Sequence, residues 1–169
     1  KSPKVFRLIK VPVVDSHHHF WEMDKFDYSW MPDGSPLAVD YGPTQLAPLI
    51  KAAGIDYTVV VQAVSSPDEA RWLLELADQN DFIAGIVGWV DLTDPKVGYT
   101  LDELQRSKYF KGVRHIWEGE NDPGWIVNSG AINGLQELVR RDLTFDFLAK
   151  PHNLPFIPQV MEQVPDLRA

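Results

Sequence analysis

The residues best suited to chemistry lie together in the segment Asp15-Ser16-His17-His18-His19-Phe20-Trp21. In an extended backbone alternate side chains share a face, so His17 and His19 point one way and His18 the other. Two neutral imidazoles converging on one ion at about 2.0–2.1 Å are a standard ligand pair for zinc or a similar divalent metal. Packed or surface histidines would satisfy the same spacing, and His18 reads as structural. What favours the metal reading for His17 and His19 is their place at the carboxyl end of an apolar run.

A second cluster is Gly112-Val113-Arg114-His115, followed by Glu118, Glu120, Asp122, Pro123 and Trp125. The Arg114 guanidinium is a planar fork that matches a carboxylate or vicinal oxygens, and His115 can donate, accept or ligate a metal. An internal Arg–Glu ion pair is the competing reading for Arg114. Glu120 and Asp122 are candidate partners for Arg114 or for substrate hydroxyls. Gln62, Trp89, Asp91, Asp146 and Lys150 close or follow other apolar runs. Asp146 alternates with Phe145 and Phe147 and so faces inward, where a carboxylate needs a partner or a function. Trp21, Trp89 and Trp117 are candidates to stack on a sugar or lactone ring, or to pack a rim. Asp91 reads as a turn cap and Lys150 as solvated.

The elements that must position these groups follow from the pattern. Residues 11–15, 57–62, 83–89, 112–115 and 143–148 are apolar runs that close on polar or aromatic residues, which predicts five strands buried on both faces. Amphipathic stretches at 43–53, 67–78, 101–107, 131–141 and 155–163 alternate with them and predict helices. Ser66-Pro67-Asp68-Glu69 carries a capping hydroxyl, a preset φ and carboxylates that oppose the helix dipole, and Gly54 is a C-terminal stop. Five strand–helix alternations specify parallel strands with right-handed crossovers, in an open sheet or a barrel. No dinucleotide or phosphate-loop sequence follows the first strand. Residues 164–169 read as the approach to a further strand. A single domain over 1–169 is expected, about two-thirds of the ~250 residues of a complete eight-unit barrel. Five units alone leave strand edges open, so a homo-oligomer or a missing C-terminal half is expected to cover them.

The chain of 169 residues carries 16 Lys+Arg against 24 Asp+Glu, a net charge of −8. That balance repels phosphate backbones and argues against nucleic acid. With no cysteine, disulfides, thiolate nucleophiles and thiolate metal sites are excluded. No run approaches the ~18 apolar residues of a membrane span, and the first seven residues carry no long apolar leader core. The expectation is a cytoplasmic protein with no membrane partner.

Five stretches in this order resemble a known family: 14–21, Val61-Gln62-Ala63, 85–92, Gly112-Val113-Arg114-His115 with Asp122-Pro123-Gly124-Trp125, and Pro165-Asp166-Leu167-Arg168. The family is the amidohydrolase-2 branch of the amidohydrolase superfamily, in its sugar-lactonase form, and the resemblance covers essentially the whole chain. It implies a TIM-barrel (β/α)8 hydrolase fold of which about the first five units are present. It implies lactone opening by an activated water, with a divalent metal, zinc by preference, held by His17 and His19. Gln62, Trp89, Arg114 and His115 match strand-end positions of its substrate pocket, and Arg114 or His115 would stabilise the oxyanion. Glu120 and Asp146 join the expected substrate contacts. The family's sixth-strand histidine and eighth-strand aspartate have no counterpart here. Two other readings follow: a non-catalytic part-barrel that binds a partner or a sugar acid, and a decarboxylase of the same superfamily.

Overall fold

The computed structural model describes residues 11–32 and 34–169. The reading of the first seven residues as lacking a leader core lies outside the described residues. Five parallel strands follow one another in a single sheet of order β1-β2-β3-β4-β5, and the sheet curls into a half-barrel. They are β1 (Val14–His18), β2 (Tyr57–Val61), β3 (Ile83–Gly88), β4 (Phe110–His115) and β5 (Thr144–Phe147). The helices between and after them are α1 (Pro43–Ala53), α2 (Pro67–Gln79), α3 (Val97–Leu104), α4 (Ser129–Arg140) and α5 (Ile157–Gln163).

The boundaries move for local reasons. β1 begins three residues later than its apolar run, because pairing with β2 starts at Val14 opposite Tyr57, and this carries the strand into the histidines. α3 lies earlier than 101–107, starting at Val97 straight after the Asp94 turn, where Val97 N–H reaches the Asp94 carbonyl at 2.9 Å. α4 starts at Ser129 because the Asn128 side chain accepts from the Ala131 amide and caps it. The stretch 155–163 divides into a short 3-10 turn, Leu154–Phe156, and α5. Asp91 caps its turn as expected, accepting from the Thr93 amide at 2.9 Å and hydroxyl at 2.6 Å.

Each strand divides its side chains between two faces. Val60, Ile86, Val113 and Phe145 are fully enclosed against the helices in the main core, with Leu73, Leu101, Leu135 and Leu138 opposite them. Trp117, a sugar-stacking candidate in the sequence, belongs to this core: it is fully buried and its Nε1 donates to the Pro123 carbonyl at 3.0 Å. The other face carries Asp15, His17, Val59, Val61, Gly85, Val87, Gly112, Arg114, Thr144 and Asp146. Ion pairs tie the helix ring from outside: Arg71 grips Glu103 with two bonds of 2.6 and 2.9 Å, and Arg141 reaches Asp102 at 2.7 Å. Beyond β5, Arg168 forms a parallel bridge with Thr144, and its carbonyl accepts from the Phe145 amide at 2.8 Å. The approach to a further strand read from residues 164–169 is therefore real backbone pairing.

β4 and β5 run in unbroken register, with Gly112 opposite Thr144 and Arg114 opposite Asp146. Gly112 permits this approach. A Cβ there would lie 2.1 Å from the Thr144 hydroxyl and 2.6 Å from the Thr144 backbone oxygen. Gly112→Ala is therefore expected to destabilise the chain by about 1–3 kcal/mol in denaturant unfolding, while Gly119→Ala, where the nearest atom is a methyl at 3.6 Å, stays within about 0.5 kcal/mol.

Candidate active site

The inward residues at the carboxyl ends of β1, β2 and β4 meet. The His17 and His19 Nε2 atoms lie 3.3 Å apart, with their rings edge to face. The other nitrogen of His19, Nδ1, lies 2.8 Å from the Val61 carbonyl, so it carries the ring proton and leaves Nε2 a bare lone pair. Burial, together with the Arg114 and histidine charges nearby, pushes His19 down to about 4, so the ring is neutral at pH 7. With His19 Nε2 bare, the 3.3 Å contact is a hydrogen bond donated by His17 Nε2. A divalent cation would take the place of that proton: two bonds of about 2.0–2.1 Å at a tetrahedral angle separate their nitrogens by about 3.4 Å. His17 and His19 therefore fit two positions of a metal shell. Among the described residues no cluster of three histidine, aspartate or glutamate side chains completes it. His18 points to the other face, against Phe20, with both ring nitrogens buried and unpartnered.

Arg114 lies beside the pair, its Nη1 3.5 Å from His17 Nε2. Its Nη2 donates to the Gln62 backbone carbonyl, and the Gln62 side-chain amide donates back to the Arg114 carbonyl at 3.4 Å. Gln62 is completely enclosed and its amide touches Arg114. Arg114 is only 7% exposed; burial pulls its pKa down, while Asp146, Glu69 and Glu118 pull it up. A guanidinium keeps its proton under such conditions. The internal Arg–Glu pair weighed for Arg114 does not form among the described residues; the guanidinium bonds the Gln62 carbonyl and lies beside His17 without a bond to it. Asp146 lies half-buried opposite Arg114, and burial raises its carboxyl against the pull of His17 and Arg114.

His115 faces away from this group. Its Nδ1 accepts from Trp89 Nε1 at 3.2 Å and its Nε2 donates to Glu120 at 2.8 Å. Trp125 stacks on it at 3.9 Å with ring planes 6° apart. Burial lowers its pKa, so the bond to Glu120 joins a neutral imidazole to a carboxylate. Trp89, His115, Glu120 and Trp125 thus form one unit beneath the loop after β4. Asp122 is occupied with the Gly124 amide at 2.8 Å.

Beside His19 and Arg114 opens a pocket of about 400 Å³, lined also by Trp21, Trp30, Leu37, Ala63, Ile116, Glu118 and Leu148. Its aromatic wall belongs to the β1–α1 loop. That loop is pinned by an antiparallel bridge between Trp21 and Tyr41, and by Trp21 Nε1 donating to the Leu37 and Val39 carbonyls at 3.1 and 2.9 Å. Trp30 stands edge-on to Trp21 at 5.9 Å. Lys150 is half exposed, with Glu118 at 3.7 Å. Two contributors escaped sequence reasoning. The Trp30 wall lies in an irregular loop without periodicity. Glu69 looked like a dipole partner of α2, yet its carboxylate accepts from the Ala63 and Val64 amides at 2.9 and 3.2 Å.

Placed beside known proteins, the chain falls in one class. The family model described as Amidohydrolase, Amidohydro_2, matches residues 14–169, and the chain belongs to that family. It is 33% identical over 156 residues to the L-fucono-1,5-lactonase of Burkholderia ambifaria, covering 92% of this chain and 54% of that protein. The L-fucono-1,5-lactonase of Burkholderia multivorans is 35% identical over 144 residues, covering 84% and 48%. A crystal structure of an amidohydrolase from Burkholderia multivorans with bound zinc superposes with a TM-score of 0.86 at 32% identity, covering 92% of this chain and 55% of that one. The chain spans about half the length of the curated relatives it matches. No helix among the described residues is long and apolar enough to cross a membrane.

Burial keeps His115 low, and the Trp125 ring stacked on it at 3.9 Å is part of what covers it. In Trp125→Ala the His115 ring gains water, and its titration by NMR is expected to rise toward the ordinary 6.5 from its lowered wild-type position. A histidine lowered in the fold takes up its proton more readily when unfolded, so its contribution is lost as pH falls below 6.5, and that loss is smaller in the variant.

Proposed function

We propose that the face bearing His17, His19 and Arg114 binds and opens a lactone, with a sugar-derived lactone as the substrate class. The convergence of two imidazole Nε2 atoms and a buried guanidinium at strand carboxyl ends, beside an apolar pocket, carries the reading. Lactonase relatives at 33–35% identity support it. Opening adds water across the ring ester: the water oxygen bonds to the carbonyl carbon, the ring C–O bond breaks, and the ring oxygen takes a proton to leave a hydroxy acid. Arg114 donates to the oxygen that gains charge at the carbonyl, and its pinning by Gln62 makes that donor preorganised. Asp146 balances the guanidinium and meets substrate hydroxyls. Trp21 and Trp30 hold the ring's apolar face, with Glu118 at the rim as a hydroxyl acceptor. His115, Trp89 and Glu120 carry the loop that brings Ile116 and Glu118 into the pocket. A divalent metal, zinc by preference, would be held by His17 and His19 and would acidify a water or polarise the carbonyl.

The test is acid release from a panel of sugar 1,5-lactones by the chain supplied with the C-terminal half of a lactonase relative. Acid release above the spontaneous rate is expected, falling at least about 100-fold in Arg114→Met. A rate equal to the spontaneous one across the panel contradicts the proposal. Binding of a sugar acid, followed by Trp21 and Trp30 fluorescence, without acid release would favour the part-barrel binding module. Trp30→Ala is expected to weaken that binding about 10-fold, since an aromatic–ring contact contributes about 1–2 kcal/mol.

A further inference from the structure

Glu69 is a carboxylate placed where stability alone would not put one. It is fully enclosed, and among the described residues no cation bonds it. It stands at the third position of α2, where a glutamate ordinarily reaches back to the amide of the capping residue. Here the Ser66 amide instead donates to the Val64 carbonyl at 3.0 Å, and the Ser66 hydroxyl caps the Asp68 amide at 3.2 Å. The glutamate reaches past the cap to the Ala63 and Val64 amides at 2.9 and 3.2 Å. Those two residues directly follow Gln62, whose carbonyl receives Arg114, and Ala63 lines the pocket.

We propose that Glu69 is a positioning residue of the site: by gripping the Ala63 and Val64 amides it fixes the β2–α2 corner from which the Gln62 carbonyl aims Arg114. The inference rests on the reading of Arg114 as the donor to the lactone carbonyl. Burial supports it by pushing the Glu69 carboxyl up to about 7, held from rising further by the two amides and by Arg114. The charged and titratable groups that feel Glu69 are Arg114 on β4 and Tyr28 in the β1–α1 loop. Because its folded value lies above the unfolded one, ionised Glu69 costs stability at neutral pH and above. The carboxylate that offers both oxygens to backbone amides is thus retained at a cost. Below about 7 one oxygen becomes a hydroxyl, a weaker acceptor for the amide it holds.

The experiment compares the 169-residue chain with E69Q and with Ser66→Ala, which removes the α2 cap at the same corner but leaves the carboxylate. NMR reads amide exchange at Ala63 and Val64 and the Arg114 Nε–H signal. In E69Q one of the two bonds is lost, so exchange at these amides should rise at least 10-fold and the Arg114 signal should move. Ser66→Ala should lower the melting temperature and leave the Arg114 signal in place. In the wild type the Arg114 signal should show a component with a midpoint near 7 that is missing from E69Q; this reading stands if E69Q does not fold, with E69D then replacing it. An Arg114 signal indifferent both to E69Q or E69D and to pH between 6 and 8 overturns the proposal. Affinity for L-fuconate, read by tryptophan fluorescence, separates the two claims. Binding by the wild type that falls about 10-fold in E69Q supports both. Binding unchanged by the substitution overturns the role of Glu69. No binding by the wild type, with the Arg114 signal still following Glu69, removes the lactone reading and leaves the positioning role standing.

Discussion

A guanidinium buried at the mouth of a half-barrel sets the terms for everything around it. Arg114 cannot shed its proton, so burial has to be met by oxygen acceptors and nearby negative charge. The Gln62 carbonyl supplies the first; Asp146, Glu69 and Glu118 supply the second. Each of these groups is brought there by a different element: the β2 corner, β5, the first turn of α2, and the loop after β4. Neutralising one charge therefore couples most of the sheet's carboxyl edge, and Gly112 lets β4 and β5 approach closely enough to do it.

The histidine pair is organised by the same economy of protons. The Val61 carbonyl takes the proton on His19 Nδ1, which leaves Nε2 bare and places the only hydrogen between the two rings on His17. A cation of radius suited to nitrogen ligands and that proton compete for one place. Nearby, the Trp21 and Trp30 wall supplies apolar surface, so the charged and polar groups lie to one side of the pocket. A substrate with one ester end and an apolar face matches that division.

Much of this was legible in the sequence because it depends on period two. Alternation alone placed His17 with His19, turned His18 away, and set Asp146 inward between Phe145 and Phe147. The β/α rhythm gave parallel strands in order, and α1 fell at 43–53, where Gly54 adopts the left-handed conformation that stops the helix. Side-chain destinations across the fold were not legible. Gln62 read as a strand-end contact for substrate, yet its amide and carbonyl both meet Arg114. Arg114 and His115 read as one cluster because they are adjacent, although adjacency in a strand sends them to opposite faces. Trp117 read as a ring-stacking or rim aromatic because it follows a strand end, whereas the 3-10 turn at Trp117–Gly119 folds it into the core. Glu69 carried a helix-start signature, and only the backbone path of residues 62–66 reveals what its carboxylate grips.

His17 and His19 present a shared lone-pair site next to Arg114. Long-range 15N NMR of the histidine rings at pH 7, before and after one equivalent of Zn2+, tests it most directly. His19 is expected as the Nδ1–H tautomer, with the Nε2 resonances of His17 and His19 shifting together when the metal is added. A His19 that carries its proton on Nε2, or a metal that leaves both Nε2 resonances unmoved, would contradict it.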